Sequence, residues 1–300
     1  MSNVFGVDGT AVDLHSHSTA SDGTYSPQAL LTMACERGLT CFAITDHDTM
    51  AGYLAVKDDV LAQSLSLIAG VEISCTHPVV GGYGKQAAVE KIIHVVALDV
   101  ADVKKMQMAL QEIQASRENR GRAMVEKLSE LINEPFEVLW QAVLEKAGGE
   151  PTAVGRAHMA AVLFERGFVK SMQDAFDKYL ADDKPAYVPI KTLSMQKTVQ
   201  LIHECGGLAV LAHPTRYRLS ATRIRRLIED FSVFGGDAVE LPSASEPVST
   251  RQMIDRSAAA CGLLLSVGSD FHGVNMPWRK LGVVPKLSKT QVGIWTKFRQ

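Results

Sequence analysis

Several things are scarce in this chain of 300 residues. Cysteines number five (Cys35, Cys41, Cys75, Cys205 and Cys261), lie far apart and form no C-x-x-C pair. That excludes a disulfide framework and a thiolate zinc site, and reads as a reduced, cytoplasmic protein. A surplus of either charge is also missing, since 31 Lys+Arg face 33 Asp+Glu. A coat for long duplex nucleic acid needs clustered excess Lys and Arg. No apolar run reaches the roughly 18 residues of a membrane span. Residues 1–10 show neither the basic start nor the apolar stretch of a secretory leader. Repeats and low-complexity tracts are absent. What remains is globular in composition, at 46% hydrophobic and 21% charged, with enough chain for one large barrel or two smaller domains.

Short apolar runs bounded by turn residues alternate with helical patterns. The runs cover 11–17, 40–47, 65–74, 91–99, 207–214, 237–243 and 263–272, and each reads as a strand buried on both faces. Helical patterns follow at 26–38, 194–205, 219–231 and 249–261, the first opened by Ser26-Pro27 and closed by Gly38. Strand then helix, about seven times over, predicts parallel βα units and an α/β barrel or doubly wound sheet. One stretch breaks the rhythm. Residues 101–189 show helical patterns only, at 103–132, 136–146, 155–167 and 171–181. They read as a helical insertion between the fourth and fifth strands.

The predicted strand ends carry the chemistry. His15 and His17 are two apart on the first strand, so both rings point to one side. Asp22 follows in the next loop. The second strand ends at His47, the third at Glu72, the fourth carries His94, the fifth ends at His213, and the seventh ends at Asp270 and His272. Any one of these is an ordinary loop or packing residue. Six imidazoles and three carboxylates recurring on six of seven strands are a multinuclear metal site, at the strand ends where barrel enzymes place their chemistry. Mixed imidazole and carboxylate ligands suit Mn, Fe(II) or Zn. Nine ligands suit two or three ions, with Glu72 as a bridge.

DLHSHSTASDGTYSP (13–27), FAITDHDT (42–49), GVEIS (70–74), IIHVVALD (92–99), LAHP (211–214) and GSDFHG (268–273) together resemble the PHP (polymerase and histidinol phosphatase) metallophosphoesterases. GRAH (155–158), FDKYLADDKPAYVP (176–189), HPTRYRLS (213–220) and PWRKLG (277–282) are similar to its TrpH/YciV-like subgroup. The resemblance covers almost the whole chain. It implies a distorted seven-stranded (β/α) barrel from residues 1–100 and 190–300, its active-site mouth covered by the insertion 101–189. It implies nine metal ligands, His15, His17, Asp22, His47, Glu72, His94, His213, Asp270 and His272, holding two or three divalent ions, foremost Mn²⁺. It implies hydrolysis of nucleoside 3',5'-bisphosphates and of short 5'-phosphorylated RNA from the 5' end, by a hydroxide bridging two ions. Asp22, His213 and His272 are the candidate catalytic groups, with Asp22 or His272 assisting the leaving oxygen.

The insertion offers the substrate contacts. Arg156 and His158 stand at a predicted helix start, where free N–H groups favour an anion. With Lys184 they are candidates to hold a second phosphate, and Arg216, just after His213, to meet the scissile one. The subgroup commonly has Pro where Ala157 stands. Arg117, Arg120 and Arg122 read as the solvated face of the long helix, and His77 and His203 as surface residues. A histidinol-phosphate-type phosphatase or other small phosphomonoesterase is the alternative. An amidohydrolase bridges its metals with a modified Lys, where Glu72 stands here, and a non-catalytic PHP module usually loses ligands.

Overall fold

The computed structural model describes residues 11–59, 61, 65–80, 88–182, 184–189, 192–243 and 245–299. The stretch read as lacking a leader, 1–10, lies outside them. Local sequence signals set the helix ends. In α1 (Pro27–Glu36) the Ser26 hydroxyl accepts from the Ala29 N–H at 3.2 Å, and the chain leaves through Gly38 at φ 70°. α2 spans Ala51–Val56. The long helix α3 (Val103–Ile132) is capped by Asp102 and stops at Asn133 in the left-handed region. α4 (Phe136–Lys146), α5 (Arg156–Glu165) and α6 (Met172–Ala175) follow, then α7 (Met195–Glu204), α8 (Ala221–Val233) and α9 (Val248–Ala260).

The strands depart from the expected single, closed, seven-stranded barrel of parallel units. Among the described residues there are nine strands in two sheets. β1 (Val12–Asp13), β2 (Cys41–Ile44) and β3 (Ser66–Ala69) form a parallel sheet of three. β4 (Val71–Val79), β5 (Val89–Leu98), β6 (Leu193–Ser194), β7 (Leu208–Leu211), β8 (Ala238–Glu240) and β9 (Leu264–Ser266) form a mixed sheet of six, ordered β6-β4-β5-β7-β8-β9. β5 runs antiparallel to both neighbours, β4 and β7. Of the two strands beyond the expected seven, one is the short β6 and the other comes from the apolar run 65–74. It breaks at Gly70, where a side chain would press on Thr45 at 2.9 Å and on the Ala97 carbonyl at 3.2 Å, so β3 and β4 go to different sheets. Beyond the regular strands the sheets are joined by isolated bridges, Ser16 to Phe271 and His47 to Glu72. The joints coincide with left-handed backbone at Asp48 (φ 54°), His213 (φ 26°) and Asp270 (φ 49°), a conformation that ends a ladder and costs a non-glycine residue energy.

Two cores result. The main one gathers the strands with α7, α8, α9 and the first turns of α3 through Met106, Leu110 and Ile113. The other runs from Met124 to Ala186 and packs the rest of α3 with α4, α5 and α6. No helix among the described residues is long and apolar enough to cross a membrane. Close approach fixes the seam between the sheets. A methyl group on Gly268 would collide with the His15 Cβ. Gly268→Ala is expected to destabilise the protein by about 1–3 kcal/mol, read as a lower melting temperature. An unchanged melting temperature would show that the seam gives way freely.

Candidate metal centre

The nine predicted ligands form one cluster, in which five histidines surround Glu72. Its side chain is buried and lies at the start of β4, two residues past the Gly70 break. Glu72 Oε2 is 3.3 Å from His15 Nε2, 3.2 Å from His17 Nε2 and 3.1 Å from His47 Nδ1. Glu72 Oε1 is 3.0 Å from His94 Nδ1 and 2.9 Å from His213 Nε2. Asp270 Oδ1 closes the group, 3.3 Å from His15 Nε2 and 3.2 Å from His17 Nε2. Asp22 stands to one side, 3.3 Å from His272 Nε2 and 3.7 Å from His17 Nδ1.

The donor atoms fit metal ions better than they fit one another. His15 Nε2, His17 Nε2, Glu72 Oε2 and Asp270 Oδ1 lie mutually within ligand range, and His15 Nε2 and His17 Nε2 are 3.1 Å apart. Metal bonds of about 2.0–2.2 Å at angles of about 90–109° put ligand atoms about 2.8–3.6 Å apart, which brackets these separations. Two further groups recur, His17 with Asp22, His47 and His272, and His47 with Glu72 and His94. Glu72 Oε2 is buried beside three ring nitrogens yet makes no hydrogen bond, and Asp22 Oδ1, His47 Nδ1 and His94 Nδ1 are likewise orphaned. Buried polar atoms without partners are costly. Lone pairs aimed at a common point are what an ion would satisfy.

Electrostatics keep the carboxylates charged. Burial alone would raise the Glu72 carboxyl, but the imidazoles of His47, His15 and His94 outweigh it and hold it well below the usual carboxylate range. Asp270 is held down in the same way, chiefly by Arg216 and His15, and Asp22 by His272 and His47. The floor of the cluster is closed, with His17 fully buried, and its rim is open, with Asp22 19% and His94 22% exposed.

A PHP domain model matches residues 13–181, more than half of the chain. The chain belongs to the PHP family. Among its relatives, the 5'-3' exoribonuclease Rnm of Salmonella typhimurium is 36% identical, the match covering 96% of this chain and 94% of that one. The 3',5'-nucleoside bisphosphate phosphatase of Chromobacterium violaceum is 31% identical over 95% of each. Two solved structures are similar in fold. An amidohydrolase from Chromobacterium violaceum, with bound sulfate and no metal, is 30% identical with a TM-score of 0.81 and covers 96% of this chain and 95% of that one. A metal-dependent phosphoesterase from Bifidobacterium adolescentis is 29% identical with a TM-score of 0.75 over 93% of each.

Several residues of this PHP site were not singled out in the sequence. Glu240, at the end of β8, receives the His15 Nδ1–H at 2.6 Å. A carboxylate there leaves the lone pair on Nε2, facing the cluster. β8 was the one predicted strand without an assigned ligand, and an acidic residue at its end was the available signal. Asp46 accepts from the Ser18 N–H (2.7 Å), the Ser18 hydroxyl (2.7 Å) and the Ser21 hydroxyl (2.6 Å), and so anchors the loop that carries Asp22. Asp48 accepts from the Ser74 N–H at 2.7 Å and from Arg117.

The other candidates are placed as follows. Arg216 pairs through Nη1 with Asp270 Oδ2, at the rim of the PHP cluster. Arg156 opens α5 as expected, and its Nη1 is 2.8 Å from Asp182 Oδ1 and 3.3 Å from the Leu180 carbonyl. His158 is buried and neutral. Burial depresses its imidazole, and its Nδ1 accepts from the Gly155 N–H at 3.1 Å, so it holds the turn into α5. The Lys184 N–H donates to the Ala181 carbonyl at 2.9 Å. Three surface readings are corrected. Arg117 is largely buried on Asp48, and the Arg120 Nε donates to the Val188 carbonyl at 2.7 Å, because this face of α3 meets the cluster loops and residues 187–188. His77 is buried on β4, with Nε2 3.0 Å from Asp230 Oδ2.

Asp46→Ala should free the loop bearing Asp22. Metal affinity, titrated calorimetrically with Mn²⁺, is expected to fall about 10- to 100-fold. Unchanged affinity would mean that the loop holds itself.

Proposed function

We propose that this chain is a metal-dependent phosphoesterase that hydrolyses nucleoside 3',5'-bisphosphates and short 5'-phosphorylated RNA. The observation that carries the reading is the buried four-donor hollow of His15, His17, Glu72 and Asp270, with a guanidinium, Arg216, on its rim. Relatives named as an exoribonuclease and a nucleoside bisphosphate phosphatase support the substrate class. Five widely spaced cysteines with no C-x-x-C pair suit a reducing, cytoplasmic setting. We read the bridged sheets as one distorted barrel of 1–100 and 190–300, with 101–189 inserted over its mouth.

His15, His17, Glu72 and Asp270 would hold one ion, Glu72 with His47, His94 and His213 a second, and Asp22 with His272 a third. The imidazole and carboxylate donors favour Mn²⁺, with Zn²⁺ or Fe²⁺ as alternatives. Such ions, when bound, lower the pKa of water and neutralise phosphoryl charge. The chain's own residues do the rest. Arg216, paired with Asp270 and 29% exposed, would meet a non-bridging oxygen of the scissile phosphate. His213 steadies Glu72 from the opposite side. The His272 Nδ1 donates to the Asp270 carbonyl at 3.0 Å, which leaves Nε2 beside Asp22. This pair would stand beside the leaving oxygen and assist its departure. Arg156, with Lys184 and the α5 N-terminus that His158 shapes, would hold a second phosphate.

His17→Ala and Asp270→Ala should each reduce phosphate release to background in Mn²⁺ while the melting transition survives. Full turnover by either variant would remove the site. A panel of adenosine 3',5'-bisphosphate, histidinol phosphate and an amide substrate distinguishes the classes. Preference for histidinol phosphate would select the small-phosphomonoesterase alternative.

A further inference from the structure

Three guanidiniums crowd together where the insertion faces the cluster. Arg117 and Arg120 are one turn apart on α3, and Arg156 opens α5. Arg117 is committed to Asp48. The Arg120 guanidinium carbon is 5.7 Å from the Tyr187 ring centroid, and that of Arg156 is 6.0 Å from the same centroid and 6.0 Å from that of Phe176. Lys91 Nζ adds a fourth cation, 4.0 Å from Asp182 Oδ2. Asp182 is half-exposed and already shared between Lys91 and Arg156.

Arg120 is the anomaly. Among the described residues it forms no ion pair, and its recorded hydrogen bond goes to a neutral carbonyl. Burial, then the charges of Arg156 and Arg117, press its guanidinium down to about 10. A largely buried cation beside like charges is costly unless an anion joins it. The location points to the source of that anion. Arg156 follows Gly155, where an added Cβ would lie 4.0 Å from the Asp22 Cβ, and Arg117 reaches Asp48, next to His47. The cationic group therefore borders the metal cluster.

We infer that Arg120 and Arg156 form a clamp beside Tyr187 for the substrate phosphate beyond the scissile one, displacing Asp182 from Arg156. The inference rests on the proposed function and adds Arg120 to the residues that select substrate. That phosphate is the 3'-phosphate of a bisphosphate or the next phosphodiester of an RNA, and the Arg fork suits either.

Two substitutions isolate the charge. Arg120→Gln keeps an N–H donor for Val188 and removes the charge, and Arg120→Lys keeps both. With Mn²⁺-loaded full-length protein, Arg120→Gln should raise KM for adenosine 3',5'-bisphosphate about tenfold or more. Its kinetics on p-nitrophenyl phosphate should stay within about twofold of the parent, and Arg120→Lys should recover most of the loss. Equal losses on both substrates, or no change on the bisphosphate, would overturn the clamp. Calorimetric binding of the bisphosphate to the metal-free proteins separates the two readings. If the metal-free parent binds it but the Mn²⁺-loaded parent does not hydrolyse it, the proposed function fails, and the clamp stands only if Arg120→Gln binds more weakly. Equal binding by parent and variant overturns it.

Discussion

One buried carboxylate organises this molecule. Glu72 has five imidazole nitrogens within 3.3 Å of its two oxygens, on rings contributed by four separate stretches of chain. Without compensation, a charge so deep would destabilise the fold or take up a proton. The surrounding rings keep it ionised, and its position determines where every other ligand must stand. The break at Gly70, the bridge from His47 to Glu72 and the left-handed turns at Asp48, His213 and Asp270 all bring strand ends to this carboxylate. The backbone strain at those turns is the cost of aiming side chains inward when regular ladders would carry them apart.

A ring of buried carboxylates supports that centre. Glu240 orients His15, Asp46 ties down the loop of Asp22, and Asp48 links β4 to the helical insertion through Arg117. The insertion is therefore fastened to the same residues that align the ligands. A displacement of α3 would be felt at His47, and a distortion of the cluster would be felt by Arg120 and Arg156. The histidine and carboxylate cluster and the pair Arg120 and Arg156 share a scaffold.

The clustering of these side chains was legible in the sequence because metal chemistry demands particular side chains at strand ends, and few other pressures put His15, His17, His47 and Asp270 in such positions. The helices at 103–132 and 136–146 were legible from their period and caps. The sheet order was not. A continuous apolar run such as 65–74 looks the same whether it serves one strand or two, and parallel and antiparallel pairing leave the same pattern when both faces are buried. Arg117, Arg120 and His77 were misread for a related reason. A charged residue on a helix or near a strand end is ordinarily solvated, and only the tertiary partners, Asp48, residues 187–188 and Asp230, show otherwise. Glu240 went unnoticed because it touches a ligand rather than serving as one.

The seam between the first and last strands has a consequence for assembly. The Asp270 N–H donates to the His15 carbonyl at 2.8 Å, and the His17 N–H to the Phe271 carbonyl at 2.9 Å, joining positions more than 250 residues apart in sequence. During synthesis the N-terminal ligands therefore exist long before their partners emerge, and no partial chain can close the hollow. Once formed, ions held across this seam would act as a cross-link over nearly the whole polypeptide, the geometry in which restricting the unfolded ensemble gives the largest entropic return.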